Sequence, residues 1–295
     1  MKSNAITLIC MTLMAFISSA SFAGEKCQEV KHQSFLKKYC KNLSISKQSG
    51  YASSYVYRGL VASRAIFDGN TVVPSFLDLK YELCESNSLF LDLGFTAIGS
   101  ARKAFGLDVK DKAHNEFSVD LGWQHTSLSK KLTTSFYWGM DHGGLPGLYA
   151  KLGENKPHSL VQEFSLAFNY ALSDRWNVGI INSYSFYGMT GWWFEPYINY
   201  RQKFNEWIGI NATMGMSATA GYFGNYQANA NGAQAWFIKT EFPIPLHYKT
   251  WELSPFVSFN WAGSGAMKAN ELFPIQDRPY KNFAVVAGVS LTYTF

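Results

Sequence analysis

The residues with the most chemistry to offer are six histidines, His32, His114, His125, His142, His158 and His247, and the carboxylates near them. Asp141-His142-Gly143-Gly144 is an Asp-His dyad of the kind a hydrolase uses to orient a general base. A serine nucleophile just beyond the histidine is missing, because Gly143 and Gly144 stand there. No Gly-x-Ser-x-Gly and no His-Glu-x-x-His occurs anywhere in the chain. If the dyad lies on a strand, its two side chains also point to opposite faces. It reads as a polar loop base, so no catalytic residue is assigned and an enzyme is not expected. A zinc site is not expected either, since neither Cys-x-x-Cys nor paired histidines flank the cysteines. No metal and no cofactor is called for.

The carboxylates are more informative. Glu116-Phe-Ser-Val-Asp-Leu-Gly-Trp123 recurs 47 residues later as Glu163-Phe-Ser-Leu-Ala-Phe-Asn-Tyr170, with a shorter echo at Glu195-Pro-Tyr-Ile-Asn-Tyr200. Glu116, Glu163 and Glu195 each open such a segment, and Asp141 is expected to join them in a carboxylate patch on one wall of a lumen. Asp78, Asp92 and Asp120 also fall on the polar face of alternating segments, as do Glu82, Glu241 and Glu252. The basic residues there are only Arg58, Lys80, Arg201 and Lys239. Fixed charge in a narrow pore selects strongly, so an acidic lining reads as a mouth that favours cations. The structural alternative is that these carboxylates are tied to Arg58, Arg201 and lumenal hydroxyls in a packed interior.

The elements that must position these groups are strands. Apolar and polar residues alternate in Phe117-Val119-Leu121-Trp123 against Glu116-Ser118-Asp120-Gly122. They do so again in Leu132 to Asp141, Leu160 to Tyr170, Trp176 to Phe186 and Trp251 to Trp261. Twelve such segments are predicted near 50–59, 71–83, 88–99, 115–125, 132–141, 160–171, 176–187, 193–201, 207–216, 233–243, 251–261 and 283–295. Each is about ten residues long, which is what a tilted strand needs to cross a bilayer. Aromatic residues gather near their ends, as interfacial girdles require. Short connections alternate with long ones, apart from a brief outer gap near 188–192. The expected fold is therefore an all-β, antiparallel, up-and-down transmembrane β-barrel of about twelve strands, with short periplasmic turns and long extracellular loops. A secreted β-sandwich would also alternate, but closure alone removes the edges that so many apolar strands would expose.

Composition agrees. Of 295 residues, 47% are hydrophobic and 17% aromatic, against only 16% charged, where soluble domains carry about 25%. Residues 1–23 read as a signal peptide: Lys2, an apolar stretch from Ala5 to Phe16, and Ser21-Phe22-Ala23 as a small-x-small cleavage site. Residues 24–47 form a basic segment with six lysines against Glu25 and Glu29, expected in the periplasm. The formal net charge of +5 comes from that segment and Lys2, leaving residues 48–295 neutral, with 19 basic and 19 acidic groups. The basic balance therefore gives no reason to expect nucleic acid as a partner. In an oxidising compartment Cys27 and Cys40 are the expected disulfide, with Cys84 as the rival partner.

Ser54-Tyr55-Val56-Tyr57-Arg58-Gly59 resembles the opening of an uncharacterised family of Gram-negative outer-membrane proteins, which starts its barrel with a Ser-x-Tyr-x-x-Arg-Gly-like stretch. The resemblance covers six residues and the general layout, and it brings no substrate with it. The alternating run Val289 to Phe295 is similar to the terminal strand of outer-membrane barrels. That similarity implies that Phe295 is read by the barrel-assembly machinery. The expected location is the outer membrane of a Gram-negative bacterium, in contact with its lipids and lipopolysaccharide. The expected role is a channel or uptake pore for small polar solutes, cations among them. The alternatives are a non-conducting structural or adhesin-type barrel acting through its outer loops and, further behind, a lipid-modifying barrel enzyme.

Overall fold

The structure is a computed structural model. It describes residues 42–54, 56–57, 60–61, 72–98, 115–127, 129–143, 160–188, 190–221, 231–246, 250–265 and 283–295, all within the compact unit Asn42–Phe295. Period-two alternation becomes twelve strands here. They are β1 (Leu43–Ala52), β2 (Val72–Cys84), β3 (Asn87–Ile98), β4 (Glu116–Ser127), β5 (Leu132–Gly143), β6 (Leu160–Ala171), β7 (Trp176–Tyr187), β8 (Gly191–Lys203), β9 (Gly209–Ala220), β10 (Gly232–Glu241), β11 (Trp251–Ala262) and β12 (Phe283–Thr294). Two-residue pieces at Val56–Tyr57, Leu60–Val61 and Ile244–Pro245 lie outside this set. Each strand pairs antiparallel with its neighbours in sequence, and β1 pairs with β12, so the sheet closes on itself. Closure satisfies every ladder and leaves no edge strand, the condition for β-structure to span a membrane.

Which residues face outward follows from exposure. Val73, Phe95, Phe117, Phe136, Phe164, Ile180, Met214, Trp236, Phe259 and Val285 are large, apolar and exposed, and each lies on the apolar parity of its strand. The opposite parity carries Asp78, Asp92, Asp120, Glu163, Lys239 and the buried serines, so it faces the lumen. Two aromatic girdles bound the apolar band. At one end Trp251 packs on Tyr293 with ring centroids 4.6 Å apart, and Trp176 on Tyr200 at 4.7 Å. At the other, Trp261 meets Phe283 at 5.3 Å and Tyr184 meets Trp192 at 4.8 Å. The first girdle lies at the end of the short turns, termed the turn end; the other is the loop end.

The pairing registers fix the tilt. From Phe76 on β2 they lead through Gly94 and Ser118 to Asp141 on β5, and four residues toward the turn end is Tyr137. From Tyr137 they lead through Ser165 and Ser183 to Trp193 on β8, and the same step reaches Tyr197. From Tyr197 they lead through Gly215 and Phe237 to Asn260 on β11, and the step reaches Phe256. From Phe256 they lead through Gly288 and Ala52 to Val72, and the fourth step returns to Phe76. Four steps of four residues make a stagger of about 16 over twelve strands, hence a tilt of roughly 43° and a backbone radius of roughly 12 Å. Twelve-residue strands at that tilt cover about 29 Å, close to the hydrocarbon thickness.

One expected strand is displaced. β1 runs over Leu43–Ala52 rather than 50–59, so Leu43 to Lys47 belong to the barrel and not to the basic segment 24–47. The lysine count hid a regular alternation. Leu43 and Ile45 take the outward parity, and Ser44, Ser46 and Gln48 the inward one. β1 ends at Ala52, and among the described residues that follow it Val56–Tyr57 pairs with Leu60–Val61. Arg58, Cys27, Cys40 and residues 1–41 lie outside the described residues. Among the described residues no helix is long and apolar enough to cross a membrane.

Candidate functional site

The lumen wall carries its charge in an ordered way. Asp78 on β2, Asp92 on β3 and Asp120 on β4 are direct cross-strand partners in one continuous ladder row. Their Cβ atoms are therefore roughly 5 Å apart, a spacing at which like charges oppose folding. The row continues to Gly139 on β5 and Glu163 on β6. A Cβ on Gly139 would sit 2.7 Å from Asp120 Oδ1 and 3.6 Å from Glu163 Cγ. The missing side chain thus lets two carboxylates lean toward the same point from both sides. Because a level line drops about 1.3 residues per strand, this row climbs toward the loop end by roughly 3 Å at each strand. The result is a rising staircase of carboxylates.

Glu116, Asp141 and Glu163 stand on consecutive strands, each two residues nearer the turn end than the last in register, and are diagonal neighbours roughly 7–8 Å apart. Glu195 lies two strands further on along the same descent, with the buried Ser183 between. The four form an arc over β4 to β8 that falls toward the turn end by roughly 6 Å, and the staircase runs up into it at Glu163. Glu163 is only 4% exposed, and Glu195 accepts a hydrogen bond from Trp193 Nε1 at 3.4 Å. No inward position on β3 to β7 holds a lysine or arginine, while five hold carboxylates.

The opposite wall is different. Stepped down by the stagger, the register from Asp120 reaches Lys239 on β10, six strands away and at the same level. Lys239 Nζ binds Glu241 Oε1 at 2.6 Å and lies 4.9 Å from the centre of the Phe256 ring. Asn211 Nδ2 donates to Glu241 Oε2 at 2.9 Å, and Asn199 Nδ2 donates to Thr213 Oγ1 at 2.8 Å. This wall is internally neutralised. Arg201 is also on the lumenal parity, but exposed at the turn end and far from the arc. Lys80 donates to Gln124 Oε1 at 3.0 Å, just below Asp78. Nearer the loop end the inward residues are tightly buried, among them Trp193 at 1% and Gln234 and Val286 at 0%.

The remaining sequence candidates fall as follows. Asp141 and His142 are adjacent on β5 and take opposite faces: Asp141 pairs with Ser118 and Val161, His142 with Phe117 and Leu160. Cys84 ends β2, where its sulfur accepts from Asn87 Nδ2 at 3.2 Å. Among the described residues no group of three or more His, Cys, Asp or Glu is placed to hold a metal ion. Phe295 continues the line of β12: its N–H donates to Ile45 O at 2.9 Å, and its ring meets Tyr293 edge-on at 4.3 Å. Several inward aromatics, among them Phe76, Tyr137, Tyr197 and Phe256, were not among the expected site residues. Their signal was available, since each breaks the parity of its own strand by standing on the polar face.

A closed, up-and-down, twelve-stranded antiparallel barrel with an apolar girdled exterior and a polar interior has the architecture of an outer-membrane β-barrel. Several solved structures have a similar fold at low identity. The KdgM porin in complex with disordered oligogalacturonate is 11% identical, with 85% of this chain and 99% of that one aligned at a TM-score of 0.44. An outer membrane channel from Pseudomonas putida F1 is 9% identical, covering 86% and 96%, at 0.49. The translocator domain of the autotransporter NalP from Neisseria meningitidis is 9% identical, covering 100% and 97%, also at 0.49. No protein-family model matches the sequence, and no curated protein matches it.

Proposed function

We propose that the protein is a narrow outer-membrane channel for small polar solutes that favours cations. The observation that carries this reading is the in-register row Asp78–Asp92–Asp120, whose last two members begin a wall of five strands, β3 to β7, with no inward lysine or arginine, while Asp78 stands beside it on β2 together with the inward Lys80. Three carboxylates side by side oppose folding, and a barrel that retains them in a water-facing lumen has a use for the field they create. Fixed negative charge in a confined pore concentrates cations and excludes anions. Glu116, Asp141, Glu163 and Glu195 extend that field toward the loop end. The same reading places the protein in the Gram-negative outer membrane among its lipids and lipopolysaccharide, with the turn end in the periplasm and Phe295 recognised during barrel assembly.

The test is reconstitution in planar bilayers under a salt gradient. The expected reversal potential is that of a cation-selective pore, and it falls toward zero in an Asp78→Asn/Asp92→Asn/Asp120→Asn variant. A Glu116→Gln/Glu163→Gln/Glu195→Gln variant reduces it too. Anion selectivity would overturn the proposal. Burial of Trp193, Gln234 and Val286 near the loop end favours a second reading, a non-conducting barrel that acts through its outer loops. Absence of any conductance would select it.

A further inference from the structure

The residues that close the stagger circuit have a property beyond topology. Phe76, Tyr137, Tyr197 and Phe256 lie at one level of the lumen, on β2, β5, β8 and β11, so they stand every third strand and a quarter-turn apart. All four are half-buried, each with part of its surface left to the lumen. Three of the rings do not project as spokes. Phe76 is opposite Gly94, Tyr197 opposite Gly179 and Phe256 opposite Gly288. A Cβ on Gly94 would sit 3.1 Å from Phe76 Cδ1, one on Gly288 would sit 2.5 Å from Phe256 Cε1, and one on Gly179 would fall on the Tyr197 ring. The rings of Phe76, Tyr197 and Phe256 therefore reach sideways over the facing glycine, along the wall rather than straight toward the axis. At Tyr137 it is the Phe90 ring that covers the opposite Gly122, with Cζ 2.7 Å from where a Cβ would stand, and Phe90 meets Tyr137 edge-to-face with centroids 5.9 Å apart at 63°.

A face-on aromatic ring carries negative quadrupole potential toward whatever stands over it. The belt already shows such a contact, since Lys239 lies over Phe256. On the far side Asp92 and Asp120 fall between Phe76 and Tyr137 at the same level, where among the described residues no inward lysine or arginine stands. Aromatic faces beside carboxylates suit a cation with an apolar shell better than a bare metal ion, which keeps its water.

We infer that this aromatic belt is the specificity-determining site of the lumen, and that its Phe76–Tyr137 quadrant binds compact organic cations of the substituted-ammonium class. This rests on the channel reading for its physiological meaning, but the binding itself is separable from conduction.

The experiment uses the full chain and tetramethylammonium as the probe, with sodium as the comparison. Equilibrium binding to the detergent-solubilised barrel is measured alongside inhibition of potassium current in bilayers. Tetramethylammonium is expected to bind more tightly than sodium. A Phe76→Leu/Tyr137→Leu variant is expected to weaken it about tenfold, the scale of two partly desolvated cation–π contacts, whereas Tyr137→Phe keeps it. Equal binding of tetramethylammonium and sodium to the unaltered protein would overturn the inference with no variant needed. So would unchanged binding in the double leucine variant. Ring-dependent binding without cation-selective current would leave the belt standing and remove the channel. A cation-selective current with ring-independent binding would do the reverse.

Discussion

Asp92 is the middle step of the carboxylate staircase, and its replacement by asparagine isolates what the row costs the fold. Asp92 has a carboxylate directly opposite on both sides, Asp78 and Asp120, whereas Asp78 has Asp92 on one side and Ser46 on the other. Opposed like charges cost roughly 0.2–1 kcal/mol per pair, so Asp92→Asn relieves about 0.4–2 kcal/mol and Asp78→Asn about half of that. Asparagine is nearly isosteric and remains polar, so packing and lumen hydration are little disturbed. Because the two substitutions share one repulsion, the double variant gains less than the sum of the singles. The assay is equilibrium urea unfolding in lipid vesicles at low and high salt. The gain shrinks in 1 M salt, where the Debye length falls to about 3 Å. Destabilisation by Asp92→Asn, a larger gain from Asp78→Asn, or strict additivity would refute the reasoning, since each implies that the row is held by compensating contacts.

Three further outcomes are expected. Gly288→Val lowers stability by about 1–3 kcal/mol, because its side chain would enter the Phe256 ring and the Tyr51 carbonyl oxygen; urea unfolding of the variant measures this. Val257→Arg, on the outward parity at the centre of β11, costs about 2–4 kcal/mol by the same assay. At the turn end Lys130 binds Glu85 at 2.7 Å and holds its carboxyl below the usual range. The carboxyl titrates lower when folded than unfolded, so the pair stabilises the barrel above the ordinary glutamate range. That contribution disappears as pH falls through the depressed value. The pair is fully exposed, so Glu85→Gln is expected to leave the unfolding midpoint at neutral pH nearly unchanged, and a clear shift would show a stronger link.

The division between what was legible and what was not is sharp in this protein. Alternation is a local property, with each side chain's face set by its neighbour's, so Phe117-Val119-Leu121 announced an apolar exterior and Glu116-Ser118-Asp120 a polar interior. Eleven of the twelve strands fall where periodicity puts them. β1 did not, because Lys47 and the lysines before it drew the boundary by charge, while Leu43 and Ile45 carried the alternation across it. The recurrence of Glu116, Glu163 and Glu195 was equally legible. What the sequence could not contain was height. Whether Asp78, Asp92 and Asp120 meet, whether Lys239 faces Asp120, and whether Phe76, Tyr137, Tyr197 and Phe256 share one level all depend on register. A shift of two residues at a hairpin keeps every side chain on its face yet breaks each of these alignments that spans it. The face is decided within a strand, but the level is the sum of twelve pairings, and closure of the barrel alone sets that sum.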